Sequence, residues 1–203
     1  DKVPEDDQLY VGLTKIEYKN YDHNSHFYAT QDELEAALAC APNGALLGSS
    51  YYRTPFPYGL WVWNAFSTSH GHIGKWLTKS FGKAPVLMSW VNPELRASVA
   101  QSVLKSHGYF HGKVDFEAIT QRNPKKAKIA YTINMGHLFT FDSISYVRFP
   151  DDADSLLQAS RKEAKIKRGD AFDVAMLDAE RQRVSNLFRN NGYYYYQPDY
   201  ASY

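Results

Sequence analysis

A single cysteine, Cys40, stands among 203 residues, which excludes an internal disulfide and any zinc site built from several thiolates. Long apolar runs are missing as well. The longest uninterrupted one, residues 36–41, has six members, against the roughly 20 that a spanning helix needs. No positively charged stretch leads into an apolar core near the start, so no secretory leader is read there. Nor is there an excess of one charge. Lys and Arg number 23 against 22 Asp and Glu, and a net +1 supplies no global field toward nucleic acid or anionic lipid. A hydrophobic fraction of 44% excludes a wholly disordered chain. Aromatic residues, by contrast, are abundant: they make up 15% of the chain and include 16 Tyr, giving it large amphipathic surfaces to bury or to present.

The clearest helix starts at Asn92-Pro93-Glu94, which supplies an N-cap, a proline at the first helical position and an acid for the helix dipole. Leu95, Val99, Val103 and Leu104 follow at helical spacing and predict its apolar face. Gly108 is expected to end this helix in the left-handed region, and Tyr109-Phe110 comes straight after. An earlier helix is predicted from Thr30-Gln31-Asp32-Glu33, which has capping-box form, with Leu34, Leu38 and Ala41 behind it and Pro42-Asn43-Gly44 as its stop. Val114, Phe116 and Ala118 alternate with Lys113, Asp115 and Glu117. After a polar turn, Ile129, Tyr131 and Ile133 alternate with Lys128, Ala130 and Thr132. Two such runs predict an antiparallel hairpin with one wet face.

The pattern recurs. Val174, Leu177, Val184, Leu187 and Phe188 predict a second helix face, closed by Gly192-Tyr193-Tyr194. Gly108 and Gly192 are 84 residues apart, while the strand-like Ile16-Glu17-Tyr18 and Ile144-Ser145-Tyr146 are 128 apart. The two offsets differ by 44 residues, so the first unit carries an insertion of about that length between its first strand and closing helix. The units are placed at 8–136, with the insertion at about 44–91, and at 137–203. In the second, strands are expected at 137–149 (bulged near Asp142-Ser143) and at 193–200, with helices at about 154–165 and 173–190. That unit lacks a last strand, and the unpaired edge this would leave predicts that the sequence is part of a longer protein.

Three segments carry a family resemblance. Residues 104–114, Leu-Lys-Ser-His-Gly-Tyr-Phe-His-Gly-Lys-Val, resemble the end of the second helix and the middle strand of a polypeptide-transport-associated (POTRA) domain. Residues 127–136, continuing to Phe141-Asp142-Ser143-Ile144, resemble the last strand of one such domain passing into the first of the next. Residues 167–173 and 187–194 repeat the likeness. Gly74-Lys75-Trp76-Leu77, Pro85-Val86-Leu87 and Asn92-Pro93-Glu94-Leu95-Arg96 are similar to the BamA/TamA-type assembly factors of Gram-negative outer membranes.

The resemblance implies an α+β fold of tandem β-α-α-β-β units, each a small mixed sheet with two helices on one face. It also implies a non-enzymatic, cofactor-free, chaperone-like scaffold on the periplasmic face of the outer membrane. Its partners would be unfolded β-barrel proteins, other assembly-complex subunits or neighbouring POTRA domains, with a membrane β-barrel C-terminal to it in the full protein. The alternative is a stand-alone envelope interaction module with no barrel. Gly108, Gly136 and Gly192 are then expected at turns, and Tyr109, Phe110, Tyr193 and Tyr194 as anchors of the strand after each helix.

Other clusters favour plainer readings. His70-Gly71-His72 has two-ligand spacing but no third ligand nearby, and His23 and His26 are no stronger, so all read as solvated. Cys40, among alanines, reads as core. The cations Arg161, Lys162, Lys165, Lys167 and Arg168, with Lys125, Lys126 and Lys128, read as solvated surface rather than a nucleic-acid site. In the insertion, Pro55 and Pro57 favour an extended stretch, and Ile73 to Phe81 a short helix. Tyr58, Trp61, Trp63 and Trp76 either fill a local mini-core over the sheet or form a protein-contact patch, with Tyr195 and Tyr196 as further contact candidates.

Overall fold

A computed structural model describes residues 3–69 and 71–203. The chain forms two compact units. The first comprises the described residues up to Val103 together with Gly112–Met135, and the second comprises Leu104–His111 and Gly136–Tyr203. Among the described residues no helix is long and apolar enough to cross a membrane.

The first unit is α+β. It contains β1 (Leu9–Lys19), α1 (Ser25–Leu38), α2 (Tyr58–Phe66), α3 (His72–Phe81), α4 (Met88–Val91), most of α5 (Pro93–Ser106), β2 (Lys113–Thr120) and β3 (Lys126–Asn134). The three strands form one sheet in the order β1-β3-β2, with β1 parallel and β2 antiparallel to β3. The β2–β3 hairpin pairs Val114 with Ile133, Phe116 with Tyr131 and Ala118 with Ile129. Side chains alternate across a strand, so this row lies on one face with Tyr10, Leu13 and Tyr18 of β1. The opposite face carries Lys15, Lys113, Asp115 and Glu117. β1 is bulged around Gly12, whose φ is +113°. A Cβ there would sit 2.8 Å from the Ser50 carbonyl oxygen, and that same carbonyl accepts from Leu13 N–H.

α1 begins five residues before the expected capping box. The Asn24 side chain accepts from Phe27 N–H and caps the helix, whereas Thr30 lies buried inside it and donates to the His26 carbonyl. A short hydroxyl satisfied within the preceding turn leaves nothing to cap. Phe27, Thr30, Leu34 and Leu38 form the buried face, and Phe27 meets Tyr18 edge-on at 5.6 Å. On α5 the expected apolar face is also displaced. Ala97, Ala100 and Leu104 are buried, whereas Leu95 and Val99 are exposed at 59% and 47%. Arg96 explains this choice: it reaches the carbonyls of Val91, Ala37 and Ala39, bringing α5 close to the end of α1, where small side chains fit.

The second unit packs α6 (Asp151–Ala159) against α7 (Val174–Asn190) around Ala153, Leu157, Val184 and Phe188. The expected helix to 165 stops at Ala159 and continues as a 3-10 turn over Arg161–Glu163. The strands expected at 137–149 and 193–200 do not form. The first shrinks to one antiparallel bridge, Thr140 with Ala171, in which Phe141 N–H bonds Asp170 and Phe172 N–H bonds Phe139. The second is a turn closed by Tyr196 N–H on the Tyr193 carbonyl, leading to a 3-10 turn at Pro198–Tyr200. A run of aromatics supports a strand only beside a partner ladder, and Tyr193 and Tyr196 instead direct their rings onto Phe188.

Candidate functional site

The insertion folds as a helical hairpin. Pro57 precedes the first turn of α2, and α2 packs on α3. The two helices meet where the Lys83 N–H bonds the Gly59 carbonyl at 2.8 Å, with the Lys83 stem laid over Gly59. Leu60 is the buried residue of α2 and joins Leu9 and Val11 of β1 in a small core. Most other large side chains of the hairpin stay outside: Tyr58 is 72% exposed, Trp61 51%, Trp76 59% and Phe81 57%. Trp63 is half-buried. The hairpin thus divides between a small core at Leu60 and exposed rings around it. The exposed rings form two groups, Phe56 and Tyr58 around Trp61, and Trp76 edge-on to Phe81.

Beside Trp61 opens a cavity of about 280 Å³ lined by Pro55, Pro57, Leu60, Trp61, Arg53 and Lys126, among others. Burial lowers the pKa of the Arg53 guanidinium, and among the described residues no carboxylate pairs with it. Exposed Trp90 (68%) was not among the expected contact residues, nor was the place of Arg53 at a cavity. Nothing local in the sequence distinguishes a cation at a cavity mouth from one in open solvent.

The sheet supplies a second feature. β2 is an edge strand with no neighbour on its outer side among the described residues. The other edge, β1, is partly covered: Tyr10 N–H bonds Val86, Leu13 N–H bonds Ser50 and Met88 N–H bonds Gln8.

In the second unit Gly108 has φ +87°, and a Cβ there would lie 2.8 Å from the Phe172 carbonyl oxygen. Gly136 and Gly192 also have positive φ, +72° and +101°. Tyr109 is buried, and Phe110 packs between Phe139 and Phe172. The Tyr193 hydroxyl donates to Asp152. Tyr194 and Tyr195 are exposed at 74% and 92%. Arg161, Lys167 and Arg168 line a cleft with Tyr146 and Asp142, and Arg168 pairs with Asp142 at 3.3 Å.

Among the weaker candidates, His70 lies outside the described residues. His72 opens α3 and is exposed. His23 is exposed, and its Nδ1 lies 3.2 Å from the Tyr28 hydroxyl. Cys40 is half-buried, its N–H bonded to Ser50 Oγ and its carbonyl accepting from Tyr10.

A small three-stranded mixed sheet with helices is an α+β arrangement compatible with a POTRA-like fold. No protein-family model matches the chain, and no curated protein does. One solved structure with some similarity is that of POTRA domains 3–5 of BamA from Haemophilus influenzae. The similarity covers 95% of this chain and 90% of that one, at 12% identity and a TM-score of 0.30.

Proposed function

We propose that this chain is a non-enzymatic POTRA-like scaffold on the periplasmic face of a Gram-negative outer membrane, within a BamA/TamA-type biogenesis factor. It takes up extended segments of unfolded β-barrel proteins, or of partner subunits, by strand addition along β2. The observation that carries this reading is the open β2 edge. Main-chain groups along such an edge pair with any extended peptide, as a carrier of many different clients requires. The sequence motifs at 104–114 and 127–144 support the family, and the pattern that recurs at 167–194 supports a tandem in which the second unit meets a further POTRA domain or the barrel.

Hydrogen exchange tests the reading. An unfolded β-barrel peptide added to the chain is expected to protect residues 113–120, and the same peptide with alternate backbone nitrogens methylated is expected not to. Protection absent from β2 with both peptides would remove strand addition as the binding mode.

A further inference from the structure

From Ala36 to Pro93 the chain contains no Asp or Glu, while Arg53, Lys75, Lys79 and Lys83 stand within that stretch. The near-neutral whole thus conceals a segment of +4, and this segment is also where the exposed aromatics gather. At about 3.6 residues per turn, Ile73, Trp76, Leu77 and Phe81 occupy one arc of α3, and Lys75 and Lys79 lie outside it. That arc is turned to water rather than into the protein: Ile73 is 76% exposed and Trp76 59%. α2 carries no charge at all and exposes Tyr58 and Trp61. Because Lys83 lies on Gly59, the Trp76–Phe81 pair and the Phe56–Tyr58–Trp61 group come to the same end of the hairpin. The cavity holding Arg53 and Lys126 opens beside Trp61.

We propose that this end of the α2–α3 hairpin lies on an anionic lipid bilayer surface, with a lipid phosphate held by Arg53 and Lys126 at the cavity. Amphipathic rings settle at the boundary between headgroups and acyl chains, and interspersed Lys and Arg add attraction to anionic headgroups. An absence of carboxylates over so long a stretch removes repulsion from that surface. A protein partner would be matched by mixed charges that fix its register or by a groove for an anchor side chain. This segment offers one sign of charge and rings that project from short helices. The β2 edge plays no part, so this proposal and the strand-addition reading can fail separately.

Co-sedimentation of the whole chain with vesicles tests it, without added peptide. Binding is expected to phosphatidylglycerol/phosphatidylcholine vesicles and not to pure phosphatidylcholine, to weaken with salt, and to shift tryptophan emission to the blue. Lys75→Gln with Lys79→Gln is expected to weaken binding roughly twenty-five-fold, about fivefold for each charge lost near the surface. Trp61→Ser with Trp76→Ser should weaken it further, and Arg53→Gln should reduce the preference for phosphatidylglycerol. The lysine and tryptophan sites are exposed and Arg53 is half-buried, so unchanged melting temperatures establish that the variants are folded. The emission shift of the unmodified chain serves as a readout independent of them. Three results would each overturn the proposal: no binding to phosphatidylglycerol vesicles, equal binding to both vesicle types, or binding that all variants retain. Protection of this face by a protein in a chain that ignores vesicles would reassign it to a protein partner.

Discussion

Arg183 donates to both carboxylate oxygens of Glu180, one turn earlier on α7, at distances from 2.6 to 3.1 Å. Glu180 also accepts from the Tyr146 hydroxyl at 2.6 Å and the Lys165 N–H at 2.7 Å, while Arg183 reaches Ser160 Oγ. The two side chains are only 5% and 10% exposed. The group therefore ties the chain before α6 and the segment after it to α7.

Breaking this pair strands a buried charge, so Arg183→Ala is expected to cost about 3 kcal/mol. Glu180→Leu with Arg183→Met is expected to cost less, because no charge is left buried, although the Tyr146 hydroxyl and the Lys165 N–H lose their acceptor. Urea titrations of the three chains give the comparison. Equal losses in the single and double variants would contradict it.

The same group makes stability depend on acid. Burial pushes the Glu180 pKa up, but hydrogen bonds from Arg183, the Lys165 backbone and Tyr146 outweigh it and hold the group below its ordinary 4.5. A carboxylate lowered in the folded state contributes stability that is present above 4.5 and lost as pH falls through the folded value. The urea midpoint is expected to drop on acidification below about 4.5, and a Glu180→Gln chain should show a shallower drop.

Tyr131 lies fully buried on β3, and among the described residues its hydroxyl has no hydrogen-bond partner. Removing an unsatisfied buried hydroxyl relieves a desolvation cost on the order of 1 kcal/mol. Tyr131→Phe is therefore expected to raise the melting temperature, and a clear fall would show that the hydroxyl is satisfied. Burial also pushes Tyr131 up to about 12 from 10.0. Its contribution is present below pH 10 and lost as pH rises toward 12, so tyrosinate absorbance from this residue should appear together with unfolding.

Gly108 combines φ +87° with contacts that a Cβ would make at 2.8 Å to the Phe172 carbonyl and 3.1 Å to the Phe139 carbonyl. Gly108→Ala is expected to cost at least the roughly 1–2 kcal/mol of left-handed strain. Gly192 has a similar φ but open space around it, so Gly192→Ala should cost less. Equal thermal shifts for the two would remove the contact argument.

Exposed Trp61, Trp76 and Trp90 are expected to be quenched readily by acrylamide, and half-buried Trp63 less so. Chains retaining one tryptophan each give the four values. Uniform protection would mean that the hairpin rings form a closed core.

Part of the fold was legible because its signals are local. The alternation at 113–118 and 128–133 led directly to β2 and β3, and Asn92-Pro93-Glu94 marked the start of α5. The misplaced features depended on partners far along the chain. Thr30 had capping-box form but sits inside α1 because Asn24 took the cap. Leu95 and Val99 lost the buried face of α5 to alanines once Arg96 brought α1 close. The Tyr193–Tyr196 run resembles a strand in composition and forms a turn because Phe188 is there to receive its rings.

The candidate site divides in the same way. Aromatic and cationic content over the insertion is a property of the residue string, as are helix starts and glycine turns, since each depends on neighbours within about a turn. Which rings stay in water is not. Leu60 is buried and Trp61 is not because β1 offers a small apolar surface on one side of α2 only. The cavity with Arg53 arises from residues 3 to 126, and the open β2 edge from the strand order β1-β3-β2. Sequence by itself determined the periodicities, turns and composition. Burial, edges and cavities were decided by tertiary structure, because each is a relation between segments that only long-range packing brings together.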